Sequence, residues 1–312
     1  MADLNAKKVF LLSKIEGAYG VDPTPVDTDA VETRGLAITR YDGDRISNTI
    51  DRSTLGGYSE INVGPRSGLT FNVGMQGSGA AATATAYGAL LRACGLLQTI
   101  GGSSVTYAPV SSGYESVTAY HFMDGMRQIL KGVRANVTGT LGRGVLPVWG
   151  FNLQGLYNTP TTPACVTPNI TDFFDPIPVT KTNTPTLTIA GYSGAKLEQF
   201  TFDLGNQITY LNTTNYEGLD ITDRNVTGTI SIAAPDLATK NFFTNLESHT
   251  GVTTAAFQLI HGTVAGKIVQ IDGSKVQIST ISDSNQDNRG IYTFGLKFLP
   301  TSGNDEILIT TK

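Results

Sequence analysis

Two stretches of this chain carry the same strand pattern. The run Arg143-Gly144-Val145-Leu146-Pro147-Val148-Trp149-Gly150-Phe151-Asn152-Leu153 recurs, altered, as Arg289-Gly290-Ile291-Tyr292-Thr293-Phe294-Gly295-Leu296-Lys297-Phe298. With a gap of one residue, Trp149, Phe151 and Leu153 align with Phe294, Leu296 and Phe298. Gly150 and Asn152 then align with Gly295 and Lys297. Both runs alternate large apolar with small or polar residues, the period of a strand with one face on a core. Arg-Gly ahead of each suits a tight turn. Each run closes a similar series of elements, so the chain reads as a duplication.

The chain in order supports that reading. Residues 1–35 form an N-terminal arm, in which Pro23 and Pro25 favour an extended path. Leu11, Leu12, Ile15 and Tyr19 are too apolar for pure disorder, so the arm is expected to dock on a neighbour. The first copy spans residues 36–157. It has a strand from Leu36, a long polar hairpin or loop over residues 45–66, and a strand through Leu69, Phe71 and Val73. A glycine-rich turn at residues 74–79 follows, read as flexible. Tyr87, Leu90, Leu91, Cys94 and Leu97 then fall at helical spacing. Asp124-Gly125 marks a hairpin before the closing strand. Residues 158–195 read as a linker, because six prolines among threonines cannot sit inside a sheet. The second copy spans residues 196–312. Val226, Gly228, Ile230 and Ile232 match residues 66–73. Pro235-Asp236 caps an expected helix over residues 237–246, matching the helix at Tyr87. The expectation is a mainly β chain of two tandem domains, each with a flanking α-helix. Trp149, Phe151, Phe294 and Phe298 are the expected core residues.

Several function classes are disfavoured. Charged residues make up 15% of the chain, against about 25% in an average globular protein. The net charge is -4, and no dense Lys/Arg cluster offers a nucleic-acid grip. Cys94 and Cys165 have no partner at metal-ligand spacing, and no cofactor is expected. The four apolar residues Val9-Phe10-Leu11-Leu12 are too few for a signal-peptide core of about 7–15. No run approaches the ~18 apolar residues of a membrane span. Assembly in a cytoplasm, without membrane binding, is the expectation. His121, His249 and His261 are scattered and match no catalytic motif. The glycines at residues 74–79 lack the Lys-Ser/Thr of a phosphate loop. Asp220, Asp223, Asp283 and Asp287 lack calcium-loop spacing. The chain reads as a structural protein rather than an enzyme. The competing class, a surface adhesin or sugar-binding sandwich, would show clustered exposed aromatics, whereas Trp149 lies on an expected core face.

The arm from Lys14 to Pro25, the hairpin Phe122-Met123-Asp124-Gly125 with Gly144-Val145-Leu146-Pro147 and Phe151-Asn152-Leu153-Gln154-Gly155, and the C-terminal Asn304-Asp305-Glu306-Ile307-Leu308-Ile309 resemble the tail tube (major tail) proteins of long-tailed bacteriophages. The resemblance covers most of the chain. It implies a β-sandwich with a flanking helix, stacked rings forming a hollow tube, and a lumen that conducts DNA during ejection into the host. It also implies a virion tail location, assembly in the host bacterial cytoplasm, and other tail proteins as partners at the tube ends. The family usually places six single domains around a ring. Two domains per chain then imply three chains per ring, with pseudo-six-fold symmetry. The long hairpin, with Asp51, Arg52, Glu60 and Arg66, is the expected contact to the next ring. Asp203, Asp220, Asp223 and Asp283 are the lumen candidates, since an acidic wall would repel phosphates.

Overall fold

The computed structural model describes residues 3–247 and 249–312. The chain is mainly β. The strands are β1 (Val9–Ile15), β2 (Ala30–Val31), β3 (Arg34–Ser47), β4 (Glu60–Gly74), β5 (Leu96–Ile100), β6 (Val105–Pro109), β7 (Val117–Met123), β8 (Met126–Gly142), β9 (Val148–Tyr157), β10 (Thr186–Ile189), β11 (Leu197–Asp203), β12 (Asn206–Thr213), β13 (Tyr216–Arg224), β14 (Thr227–Ala233), β15 (Thr254–His261), β16 (Val269–Gln286), β17 (Arg289–Phe298) and β18 (Leu308–Thr311). Among the described residues there is one α-helix, α1 (Gly88–Ala93), between β4 and β5.

The alternation read in the sequence is the alternation of burial. In β4, Leu69, Phe71 and Val73 are buried while Thr70 and Asn72 face out. In β9, Trp149, Phe151 and Leu153 are buried and Asn152 is exposed. Strand order repeats as well. The first half pairs in the order β3-β4-β9-β8-β7-β1. The second pairs in the order β11-β14-β17-β16-β15-β10. All these pairings are antiparallel. The long strands β8 and β16 each carry a bulge, between Lys131 and Arg134 and between Ile278 and Thr280. A bulge bends its strand. Each long strand thereby pairs with β7 or β15 at its start and with β9 or β17 further along, giving β-sandwich layers over a shared core.

The halves are fused in two ways. The end of β8 pairs with β11, Phe202 opposite Gly139. A chain of aromatic contacts also crosses between them. Trp149 meets Phe202 edge-on at 5.8 Å, Phe202 meets Phe200, Phe200 stacks on Phe257 at 4.9 Å, and Phe257 meets Phe298. Trp149, Phe151, Phe294 and Phe298 are all under 5% exposed and lie in one contiguous core.

Four expectations need correction. The helix over residues 237–246 does not form; only a 3-10 turn at Phe243–Asn245 is present. Asp236 does cap the first turn through the Thr239 N–H, but Asn241 accepts from the Phe243 N–H, a local bond that competes with helical ones. The Tyr87 helix is shorter than its spacing suggested. Gly95, in the left-handed region at φ +75, ends it, and Leu97 lies exposed on β5. The N-terminal arm is a sheet strand of its own chain, with β1 along the whole of β7. Glu16 then anchors the turn after it, accepting from Gly20 N, Ser116 Oγ, Thr118 Oγ1 and Gly132 N at 2.6–2.8 Å. Finally, the glycine-rich turn is packed, with Gly74 through Gly77 buried. A Cβ on Gly77 would stand 2.1 Å from the Gly266 carbonyl oxygen, and one on Gly79 would meet the Phe174 ring. These glycines let half one touch half two backbone to backbone, and leave room for the linker's Phe174 and Pro176 side chains to pack on them. The linker itself enters the sheet as β10, and β18 crosses back to pair with β6.

Candidate assembly surfaces

Eight strands form one continuous antiparallel run in the order β3-β4-β9-β8-β11-β14-β17-β16. One face of this run covers the core. The opposite face is a carpet of hydroxyl and amide groups, among them Thr70, Asn152, Thr138, Thr201, Thr229 and Thr293. Its charges are Lys297 opposite Thr227, Asp203 opposite Thr138, Arg34 opposite Asn72, and Arg66 opposite Asp42, with which it pairs. Asp203 is held in place, since its Oδ1 accepts from Asn136 Nδ2 at 2.7 Å and from Gly205 N at 2.8 Å. Both ends of the run are open. Among the described residues, β3 pairs only with β4, and beyond Gln277 β16 pairs only with β17. Unpaired edges are templates for another strand.

The four lumen candidates do not converge. Asp203 ends β11. Asp220 and Asp223 lie on the separate β12–β13 hairpin, where Asp220 accepts from the Tyr216 hydroxyl and Asp223 from the Arg224 N–H. Asp283 is exposed on β16, opposite Tyr292.

The hairpin residues are drawn together, mostly into pairs within their own chain. Arg66 sits between Asp42 and Asp44 at 3.2 and 3.3 Å, and Glu60 pairs with Arg45 at 3.6 Å. Arg52 donates to the Gly57 carbonyl and lies over the Tyr58 ring. Asp51 is exposed in the connecting loop. Large apolar residues at this end are exposed as well: Ile46, Ile50, Leu55, Tyr58 and Ile61, Leu55 completely. Charge pattern drew attention away from these residues. Five large apolar side chains within one polar segment were the signal that could have found them.

Titratable groups elsewhere are built in for packing. Burial and the Arg40 guanidinium push His121 down to about 4. His261 is also lowered by burial; its Nδ1 meets the Thr184 hydroxyl and its Nε2 the Ile177 carbonyl, so it holds the linker against β15. Burial pushes the Cys94 thiol up. Among the described residues, no three His, Cys, Asp or Glu side chains are grouped to hold a metal, and no helix is long and apolar enough to cross a membrane.

No curated protein matches the chain. A family model described as phage tail tube protein matches residues 6–297, nearly the whole chain. The chain therefore belongs to the phage tail tube protein family, and is a structural protein of the bacteriophage tail.

Proposed function

We propose that three copies of this chain close into a ring, that rings stack into a hollow tube, and that DNA passes through its bore. The observation that carries the reading is the β8·β11 joint. Inside one chain it fuses the two repeated sheets edge to edge, and the same two kinds of edge, β16 and β3, are left open at the ends of the run. Strand directions alternate along all eight strands. A β3 arriving from the next chain would therefore lie antiparallel to β16, as β11 lies to β8. Three chains of eight strands give a closed barrel of twenty-four, and closure pairs both open ends of the run. At about 4.8 Å between strands, such a barrel is roughly 37 Å across between backbones before strand tilt widens it. That leaves room for a duplex after side chains are added.

In this ring the hydroxyl and amide face lines the bore. A surface of Thr, Ser and Asn without a Lys/Arg cluster gives phosphates little to hold, which suits DNA in transit. Asp203 contributes to this wall, whereas Asp220, Asp223 and Asp283 belong to its rims. The exposed hairpin at residues 48–59 stands at one rim, where the next ring arrives. Other tail proteins meet the rims at the two ends of the tube, and assembly takes place in the host bacterial cytoplasm. A cryo-electron reconstruction of tubes tests the ring directly. Three chains per ring, with long hairpins at alternate positions, is the expected result. Six separate chains with six equivalent hairpins, or a bore lined mainly by Lys and Arg, would overturn it.

A further inference from the structure

Resting on the ring reading, we infer the register of the joint between chains: Leu36 of one copy faces Ile281 of the next, as Phe202 faces Gly139 within a chain. The two halves can be superposed residue by residue through their glycines. A Cβ on Gly150 would stand 2.5 Å from Thr138 Oγ1, and a Cβ on Gly295 would stand 2.5 Å from Thr280 Oγ1. Thr138 and Thr280 are therefore equivalent, and so are the next residues, Gly139 and Ile281, which stand opposite Trp149 and Phe294. On the other side, Thr70 and Thr227 stand opposite Asn152 and Lys297. Their neighbours Ala37 and Asp203 are then equivalent. Just before these, Leu36, at a bulge of β3, and Phe202 are the residues that pack toward the core, and they match in turn.

Side-chain size supports the pairing independently. Within the chain the Phe202 ring lies over Gly139, whose added Cβ would come within 2.3 Å of Phe202 Cε1. One partner is large because the other is absent. At the open edges this division is exchanged for two aliphatic side chains of middle size, Leu36 and Ile281. Both are only half-buried and packed against the core, on strands whose outer edge is unpaired. Brought together in the β8·β11 register, each covers the other, and Ala37 falls opposite Thr280 on the bore face. The partner that fits is a second copy of this chain, since these edges complement each other.

The test uses the full chain in a Cys165→Ser background, which removes the exposed native thiol. Leu36→Cys with Ile281→Cys, treated with a short thiol-to-thiol linker, is expected to give a covalent three-chain ring. Ile38→Cys with Ile281→Cys, two residues out of register, is expected to give about ten-fold less, because diagonal neighbours stand farther apart. A size exchange provides a second readout. Leu36→Phe alone overpacks the joint and should raise the minimum concentration for tube formation about ten-fold. Leu36→Phe with Ile281→Gly copies the internal pair and should return to within about three-fold of the unmodified chain. Three-chain rings that cross-link only through the offset pair, or a double variant no better than Leu36→Phe, would overturn the register and leave the ring standing. An unmodified chain whose rings do not contain three copies would remove the ring reading, and this joint with it.

Discussion

The two halves end in hairpins of opposite character. In the second half, β12 and β13 close through a short turn with Asn215 at φ +68. Tyr210 donates to Glu217 at 2.6 Å, and burial with that carboxylate pushes its phenol up to about 12. The hairpin then docks on the first half, where the Leu219 N–H donates to the Tyr19 hydroxyl at 2.6 Å and the buried Arg134 to the Leu219 carbonyl. The hairpin of β3 and β4 is longer, pairs its charges internally and leaves five large apolar side chains in water. One hairpin is packed against its own chain, and the other leaves its tip open. Scattered exposed apolar residues need no explanation, but a group at one tip marks a contact surface.

The largest expected effect follows from that contrast. Deleting residues 51–59 should leave a folded, soluble chain that forms no tubes, because the removed loop makes no core contact. Shortening the β12–β13 hairpin should instead lower thermal stability, since that hairpin is packed against Tyr19 and Arg134. Electron microscopy and melting curves on the two deletions check this. Normal tubes from the first deletion would show that the open tip is idle.

The next effect asks whether the halves are separate folding units. Phe151 lies in the first half and Phe294 in the second, both in one contiguous core. Truncating either to Ala costs roughly 3–5 kcal/mol. With a shared core, each variant should shift a single melting transition of the whole chain. A calorimetric trace that splits, with one half melting early and the other unchanged, would break the picture of one fused core.

These particulars also show what the sequence could and could not reveal. The strand faces of β4, β9 and β17 were legible because their alternation is local and strong. The small strands β6 and β18 were not, because they are held by pairing between residues 105–107 and 309–311, far apart in the chain. The glycines at residues 74–79 read as a flexible turn because the backbone they touch, at Gly266, is known only from the fold. The helix expected at residues 237–246 had its cap but not its interior. The open edges of β3 and β16 could not be read at all, since an edge exists only once a sheet order is known.

A smaller effect compares the buried histidine of each half. His121 is pushed to about 4, below its ordinary 6.5, and His261 is lowered too. Above about pH 6.5 the folded and unfolded chains both carry them neutral. Below it the unfolded chain takes protons that the folded chain refuses, so stability falls as pH drops toward about 4. For His121 the loss reaches about 3 kcal/mol at the bottom of the window. Melting temperatures at pH 7 and pH 5 should differ accordingly, and His121→Gln should shrink the difference. An unchanged pH dependence in that variant would place the burden on His261 and the linker it holds.

The smallest effect returns to the first hairpin and separates its charges from its apolar tip. Arg66 bridges Asp42 and Asp44, but both carboxylates are more than half exposed. Exposed pairs of this kind contribute about 0–1 kcal/mol. Arg66→Gln should therefore lower the melting temperature slightly and leave tubes intact, in low and high salt alike. Leu55→Ser removes no contact within the chain, because Leu55 is fully exposed. It should leave the melting temperature unchanged and weaken tube formation. The two variants thus have opposite profiles, one touching the hairpin's own fold and the other only what covers it. If Arg66→Gln abolished tubes while Leu55→Ser formed them normally, charge rather than apolar surface would join the rings.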